Sequence, residues 1–441
     1  MAPMTPCRIL AAGAVLGAFL AAAGCDSAAG LAADAPDIPP SDTLAEPDDA
    51  SPDEPSGDDD AVADVPGADD GTTADDGTSD EAPADEGPHP PGVGLMHTAA
   101  QLEFMRAHRD EVPWQAAYLQ VLAEAETGLG RIPEPKEDFD VPFYYADPDA
   151  AQAAKEGLRQ DASAAYALAL GYQLAGTREL RETYAAKAIE ILDAWAALNT
   201  QVSGADGDLV VIYAGIPLLF AADLVMNGDE WDDARRGAFL TWTTTVFENS
   251  AAAIKDRVNN WGDWGTLGVV AARGLVGDTA AVLAEADRIR GRITTTIAAD
   301  GELPEENKRT NNGMWYTFFA LTSMTTAVQI ILNTTGLDLY GYEAPNGRSI
   351  RLALDKEFFY AVHPDQWPYP LPEGLAGDLW RLLYPCDDTI QMPMANGWPG
   401  TLFEVMSDVY GVAEWEDWVS PFRPLRGYHA WIYSTLVRQT P

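Results

Sequence analysis

Four polar residues, Glu305, Arg309, Asn312 and Tyr316, recur at i, i+4, i+7 and i+11. On one helix that spacing puts a carboxylate, a guanidinium, an amide and a phenol on a single stripe. These are groups for charge neutralisation and proton transfer. The stripe leads into Trp315, Phe318, Phe319 and Leu321, so Tyr316 is expected where the core meets a cleft. Glu305 is expected to orient Arg309 through an i,i+4 ion pair, worth only a few tenths of a kcal/mol (~0.2–0.5) on a surface. A second stretch, Asn259-Asn260-Trp261-Gly262-Asp263-Trp264-Gly265-Thr266, interrupts a helical pattern. It offers the amides of Asn259 and Asn260 as donors beside two indoles. Asp263 is expected to cap a helix opening at Trp264 or Gly265. Trp261 and Trp264 serve equally as stacking platforms or as core.

The elements that must position these groups read as helices. Helical periodicity runs through 99–109, 114–127, 158–175, 178–199, 210–226, 231–255, 264–275, 279–297, 311–332 and 349–360, with further helices expected over 375–384, 401–410 and 429–438. Runs of period two are nearly absent. The fold class is therefore all-α, built from stacked helical hairpins, either an open solenoid or a closed (α/α) toroid. The folded domain is read as 93–441, where aromatic residues begin to appear.

The preceding segments have other duties. Arg8, an apolar run to Ala23 and the Gly24-Cys25 junction read as a lipoprotein signal peptide over 1–24, with Cys25 the acylated N-terminus. Residues 25–92 are rich in Asp, Glu, Pro, Gly and Ala and have no Lys or Arg, the composition of a disordered acidic tether. The chain is thus expected to be exported, monomeric and membrane-attached only through a lipid at Cys25, in the periplasm or at the cell surface. No later segment reads as long and apolar enough to span a bilayer. A net charge of −42 argues against nucleic acid as a partner. Cys386 is left alone between the anchor and the C-terminus, which excludes a disulfide framework. No spacing calls for a metal or another cofactor.

Taken in order along the chain, these stretches resemble the alginate lyase family of polysaccharide lyases, which share an (α/α) toroid. The resemblance starts at Leu95-Met96-His97-Thr98 and Val112-Pro113-Trp114, runs through 161–175 and 188–195, and ends with Gly336-Leu337-Asp338-Leu339-Tyr340 and Trp367-Pro368-Tyr369. In that family an Asn-Asn-His motif and an Arg-x6-Tyr pair line the cleft. Arg309 and Tyr316 match the second, and Asn259 and Asn260 match the start of the first. Trp261 stands where the family's histidine is expected. The resemblance implies β-elimination on an acidic polysaccharide. Arg309 and Asn260 would neutralise the uronate carboxylate, and Tyr316, its pKa lowered by Arg309, would act as base and then acid. Asn259, Trp261, Trp264, Glu305, Asn312 and His363 would bind substrate. His363 is the histidine placed first to stand in for the missing one, ahead of His97 and His429.

Two other readings compete. Glycoside hydrolysis on the same toroid would recruit two carboxylates from Asp206, Asp208, Asp263 and Glu305. A non-catalytic glycan-binding surface lipoprotein would explain the loss of the histidine. A polyanionic substrate also requires a local basic cleft, for which Arg257, Lys308, Arg309, Arg348 and Arg351 are candidates.

Overall fold

The computed structural model describes residues 94–309, 313–363, 366–369, 400–427 and 429–440. The signal peptide, Cys25, the tether, Asn312, Cys386 and the helix expected over 375–384 lie outside the described residues.

Several helices open where short polar side chains cap them. Thr98 and Gln101 form a capping box at α1 (Ala99–His108), and α2 spans Trp114–Gly128. Asp147 caps α3 (Pro148–Leu174), with proline in the first turn, where its missing N–H costs nothing. Thr177 caps α4 (Arg178–Leu198). The next helices are α5 (Gly207–Val225), α6 (Asp233–Trp242) and α7 (Glu248–Ile254), the last two joined through a π turn at Thr243–Phe247. Then come α8 (Asn260–Leu275), α9 (Thr279–Thr296), the single turn α10 (Pro304–Asn307), α11 (Gly313–Thr335) and α12 (Ile350–Val362). The chain closes with α13 (Gly400–Tyr410), α14 (Ala413–Val419) and α15 (Ser434–Val437).

The hairpins stack as an (α/α) toroid. Helices α3, α5, α8, α11 and α13 pack in succession along the inside, while α4, α6, α9 and α12 return along the outside. The C-terminal segment comes back onto the beginning. Trp114 donates its indole N–H to the Arg438 carbonyl, and Arg426 reaches both Glu124 and Ser163.

Three expectations need correction. Helices α5 and α11 are long and apolar enough to cross a bilayer, with mean hydropathies of 1.9 and 1.3. Both are largely buried, because inner helices of a toroid are covered on nearly every face. A two-stranded parallel sheet is present, β1 (Asp138–Asp140) beside β2 (Gln201–Ser203), too short to leave a period-two signature. The stripe 305–316 is not one helix. Glu305 lies on α10, Arg309 follows its end and Tyr316 lies on α11. Gly313 lets the start of α11 pack closely: a Cβ there would lie 2.6 Å from the Trp367 ring and 3.1 Å from the Asn307 Cα. Asn307 also folds α10 back, accepting from Thr317 Oγ1 and donating to Glu302.

Candidate active site

The start of α8 carries the first group of side chains. Its N-cap is Asn259, whose side chain accepts from the Trp261 N–H, so Asp263 is not the cap. Asp263 lies one turn inside α8 and pairs with Arg292 of α9 at 2.5 Å. Burial raises the Asp263 carboxyl above its usual range, and Arg292 acts against that shift. The same guanidinium donates to the carbonyls of Arg257 and Asn259 at 2.8 and 3.0 Å. One arginine thus holds the turn that presents Asn259, Asn260 and Trp261.

That turn leaves no room at Gly262, where a Cβ would lie 1.9 Å from the Arg257 carbonyl oxygen and 2.5 Å from Arg292 Nη1. Backbone atoms cannot yield as a side-chain tip can. Gly262→Ala is therefore expected to displace the turn, costing about 1–3 kcal/mol of stability. It should also lower activity by more than that loss of folded protein explains. Denaturant unfolding and rate measurements on the same preparation check both.

Asn260 is fully buried. Its backbone N–H donates to Glu306 Oε1 at 2.6 Å, and its side-chain Nδ2 donates to Glu306 Oε2 at 2.7 Å. Glu306, not Glu305, is thus the carboxylate that faces the site. Glu305 pairs with the exposed Lys308, and the expected Glu305–Arg309 ion pair does not form. A single turn beginning at Pro304 points consecutive residues in different directions, which sequence spacing could not reveal.

Arg309 nevertheless meets Tyr316. Its guanidinium carbon lies 5.0 Å from the centroid of the tyrosine ring, a cation–π contact. The Tyr316 hydroxyl shares a hydrogen bond with the Tyr145 hydroxyl, from the loop between β1 and α3. Asp206 positions that loop by accepting the Tyr144 N–H at 2.7 Å. Arg309 does act to lower the Tyr316 pKa, but the expected net lowering does not result. Burial drives the phenol well above its usual value, Tyr145 adds to the shift, and Arg309 opposes it without prevailing. In the unliganded protein Tyr316 is a neutral phenol.

The two indoles separate in role. Trp261 is half-buried and lies under Arg257, whose guanidinium carbon is 4.1 Å from its ring centroid. Trp264 is fully buried, 4.8 Å from Phe319 and 6.1 Å from Tyr213, and cannot stack on a sugar. Trp315 stacks on Phe319 at 4.9 Å and meets Tyr316 edge-on at 5.1 Å.

Of the histidines, His363 is exposed at the end of α12 against Phe359 and makes no contact with the site among the described residues. His429 instead packs on the aromatic group, 5.1 Å from Phe319 and 5.3 Å from Tyr213. Burial, helped by the charges of Lys155 and Arg159, lowers its pKa to about 3, so it is neutral there. By sequence it ranks below His363, because its distance from both motifs hides this packing.

Of the expected basic residues, Arg257 and Arg309 converge, both within electrostatic reach of Asp206. Lys308 faces outward, and Arg351 pairs with Asp355 while lying over Trp415. Three of the four carboxylates a hydrolase would recruit are otherwise engaged, Asp206 with backbone, Asp263 with Arg292 and Glu305 with Lys308, while Asp208 lies in the first turn of α5.

Asn260 from α8, Arg309 from the turn after α10 and Tyr316 from α11 meet at one aromatic-lined site of a toroid, an arrangement that fits the polysaccharide lyases. The profile of the alginate lyase family matches residues 106–367. The chain belongs to the alginate lyase family and is a polysaccharide lyase. No match to a curated protein sequence was found. Among solved structures, the fold is similar to an alginate lyase from Bacteroides ovatus, with TM-score 0.61 and 19% identity over 78% of this chain and 99% of that one. It is also similar to alginate lyase A1-III from Sphingomonas species A1, with TM-score 0.62 and 18% identity over 80% and 97% of the two chains. A variant of alginate lyase A1-III complexed with a tetrasaccharide gives the same values.

Proposed function

We propose that this lyase cleaves a uronate-containing polysaccharide such as alginate by β-elimination, with Tyr316 as base and then acid. The observation that carries the reading is the Arg309 guanidinium 5.0 Å from the Tyr316 ring, on a turn that Glu306 ties to Asn260. A C5 proton beside an ionised carboxylate is weakly acidic. Arg309 and Asn260 neutralise that carboxylate and stabilise the enolate-like dianion as it forms. The Tyr316 phenol, neutral at rest, first gives its proton to solvent, and the tyrosinate so formed takes the C5 proton. The electron pair left on C5 forms the C4–C5 double bond, the C4–O4 bond breaks, and the phenol returns the proton to O4. Arg309 lowers the cost of the tyrosinate that burial opposes. With one residue serving both steps on one sugar face, the elimination is syn and needs no histidine at position 261. Trp261, already under Arg257, offers an apolar and cationic edge to the sugar. The acidic polymer is the partner proposed for a monomeric chain, exported and held to the envelope by a lipid on Cys25.

Elimination leaves an unsaturated uronate that absorbs in the ultraviolet, and hydrolysis does not. Absorbance should rise when the purified protein meets one polymer in a panel of polyuronates. New reducing ends without absorbance would mean hydrolysis, and silence in both assays would leave a glycan-binding protein.

A further inference from the structure

Glu306 is a buried carboxylate that the elimination does not consume. It joins the two halves of the site. Its two oxygens hold the backbone N–H and the side-chain amide of Asn260, while its own carbonyl accepts the Arg309 N–H at 2.9 Å. The remaining end of the Asn260 amide, Oδ1, is buried with no hydrogen-bond partner among the described residues. An orphaned acceptor is costly, and an amide can present either end because its oxygen and nitrogen are nearly isosteric.

We propose that Glu306 is a positioning residue whose protonation selects which end of the Asn260 amide is offered to substrate. This rests on the reading of Asn260 as a group that neutralises the uronate carboxylate. With Glu306 ionised, both oxygens accept, Nδ2 is held and Oδ1 is left buried without a partner among the described residues. An amide whose NH2 group is held by Glu306 is a poor donor to a substrate carboxylate. With Glu306 protonated, one oxygen still accepts the Asn260 backbone N–H, and the other becomes an O–H that donates to Oδ1. The amide then turns over, Oδ1 gains the partner it lacks and the NH2 group is released toward the carboxylate. A carboxylic acid facing an amide makes both bonds, so neither arrangement leaves Glu306 unpaired.

The surroundings put this change within working pH. Burial raises the Glu306 carboxyl to about 7, Asp263 on α8 adds to the shift, and Asn260 and Arg309 oppose it. Arg292 on α9 and Tyr316 on α11 are the other ionisable groups that sense its charge. The sign follows. The donor-out arrangement is populated below about 7 and is lost as pH rises through that value.

The test is the pH dependence of KM and kcat on whichever polymer the parent protein eliminates. The parent's KM should rise on the order of ten-fold between pH about 6 and about 8, because the competent fraction falls as the proton leaves. Glu306→Gln is permanently a donor to Oδ1 and an acceptor from the N–H, so its KM should stay near the low-pH parental value throughout. A merely structural role for the anion predicts the reverse, a raised KM at every pH. That result, or a Glu306→Gln variant that tracks the parental curve, would overturn the proposal. Should Glu306→Gln fail to fold by circular dichroism, Asn260→Ala decides: a high, pH-independent KM supports the switch and a parental slope refutes it. A parent protein that eliminates no polymer brings down the functional reading and this proposal together. An active parent with a flat KM brings down the proposal alone.

Discussion

Tyr316→Phe should lower the elimination rate on the order of a thousand-fold while leaving KM within about two-fold, because only the proton-transfer step is removed. The physical case rests on what the substitution spares. A phenyl ring keeps the edge contact with Trp315 at 5.1 Å and the position under Arg309. It loses one hydroxyl and the bond to Tyr145. Tyr145 sits on an exposed loop, so its hydroxyl can turn to water, and folding should change by no more than about 1 kcal/mol. Steady-state kinetics beside a thermal melt separates the two effects. Should the Phe variant retain more than about a tenth of the parental rate, Tyr316 is not the base, since a positioned general base contributes at least ~10²-fold. The raised phenol pKa sharpens the expectation. A neutral tyrosine at rest is a good acid for O4, and once deprotonated it is a strong base for a carbon acid.

The second large effect is expected at Arg309. Arg309→Ala should reduce kcat/KM on the order of a hundred- to a thousand-fold, the range seen when a preorganised charge-stabilising group is removed. Two losses combine: the counter-charge for the uronate, and the cation that acts against burial at Tyr316. Arg309→Lys should recover only part of the loss. An ammonium keeps the charge but lacks the planar fork that pairs with a carboxylate and stacks on a ring. The backbone N–H of residue 309 still donates to the Glu306 carbonyl in either variant, so the turn itself should persist. The signature is a fall in kcat larger than any rise in KM, measured with oligomeric substrate. An effect confined to KM would show that Arg309 only binds, and the dianion would need another source of stabilisation.

These predictions rest on residues that differ in how openly the sequence displayed them. The helices were legible because a 3.6-residue period is a local property; α1, α4 and α9 begin where their caps and apolar spacing place them, and α2 begins where apolar spacing does. Apolar spacing places the starts of α3 and α8 about ten and four residues later than Pro148 and Asn260, where they begin. The Asp147-Pro148 start precedes an alanine-rich turn with little apolar contrast, and the stretch 259–263 looked like a break although it is the first turn of α8. Arg309 and Tyr316 were also legible, through the order of motifs along the chain.

The sequence by itself therefore determined an all-helical chain, its family and the arginine–tyrosine pair, since each depends on neighbours within a few turns. The tertiary structure decided which carboxylate holds Asn260, 46 residues away in sequence, and which hydroxyl meets Tyr316, 171 residues away. It decided that Asp263 clamps Arg292 instead of capping, that Trp264 is core, and that His429 rather than His363 joins the aromatic group. The reason is physical. Helix formation is written in local spacing, but which faces meet follows from packing whole helices against one another, and a one-residue shift on the short turn α10 is enough to exchange Glu305 for Glu306.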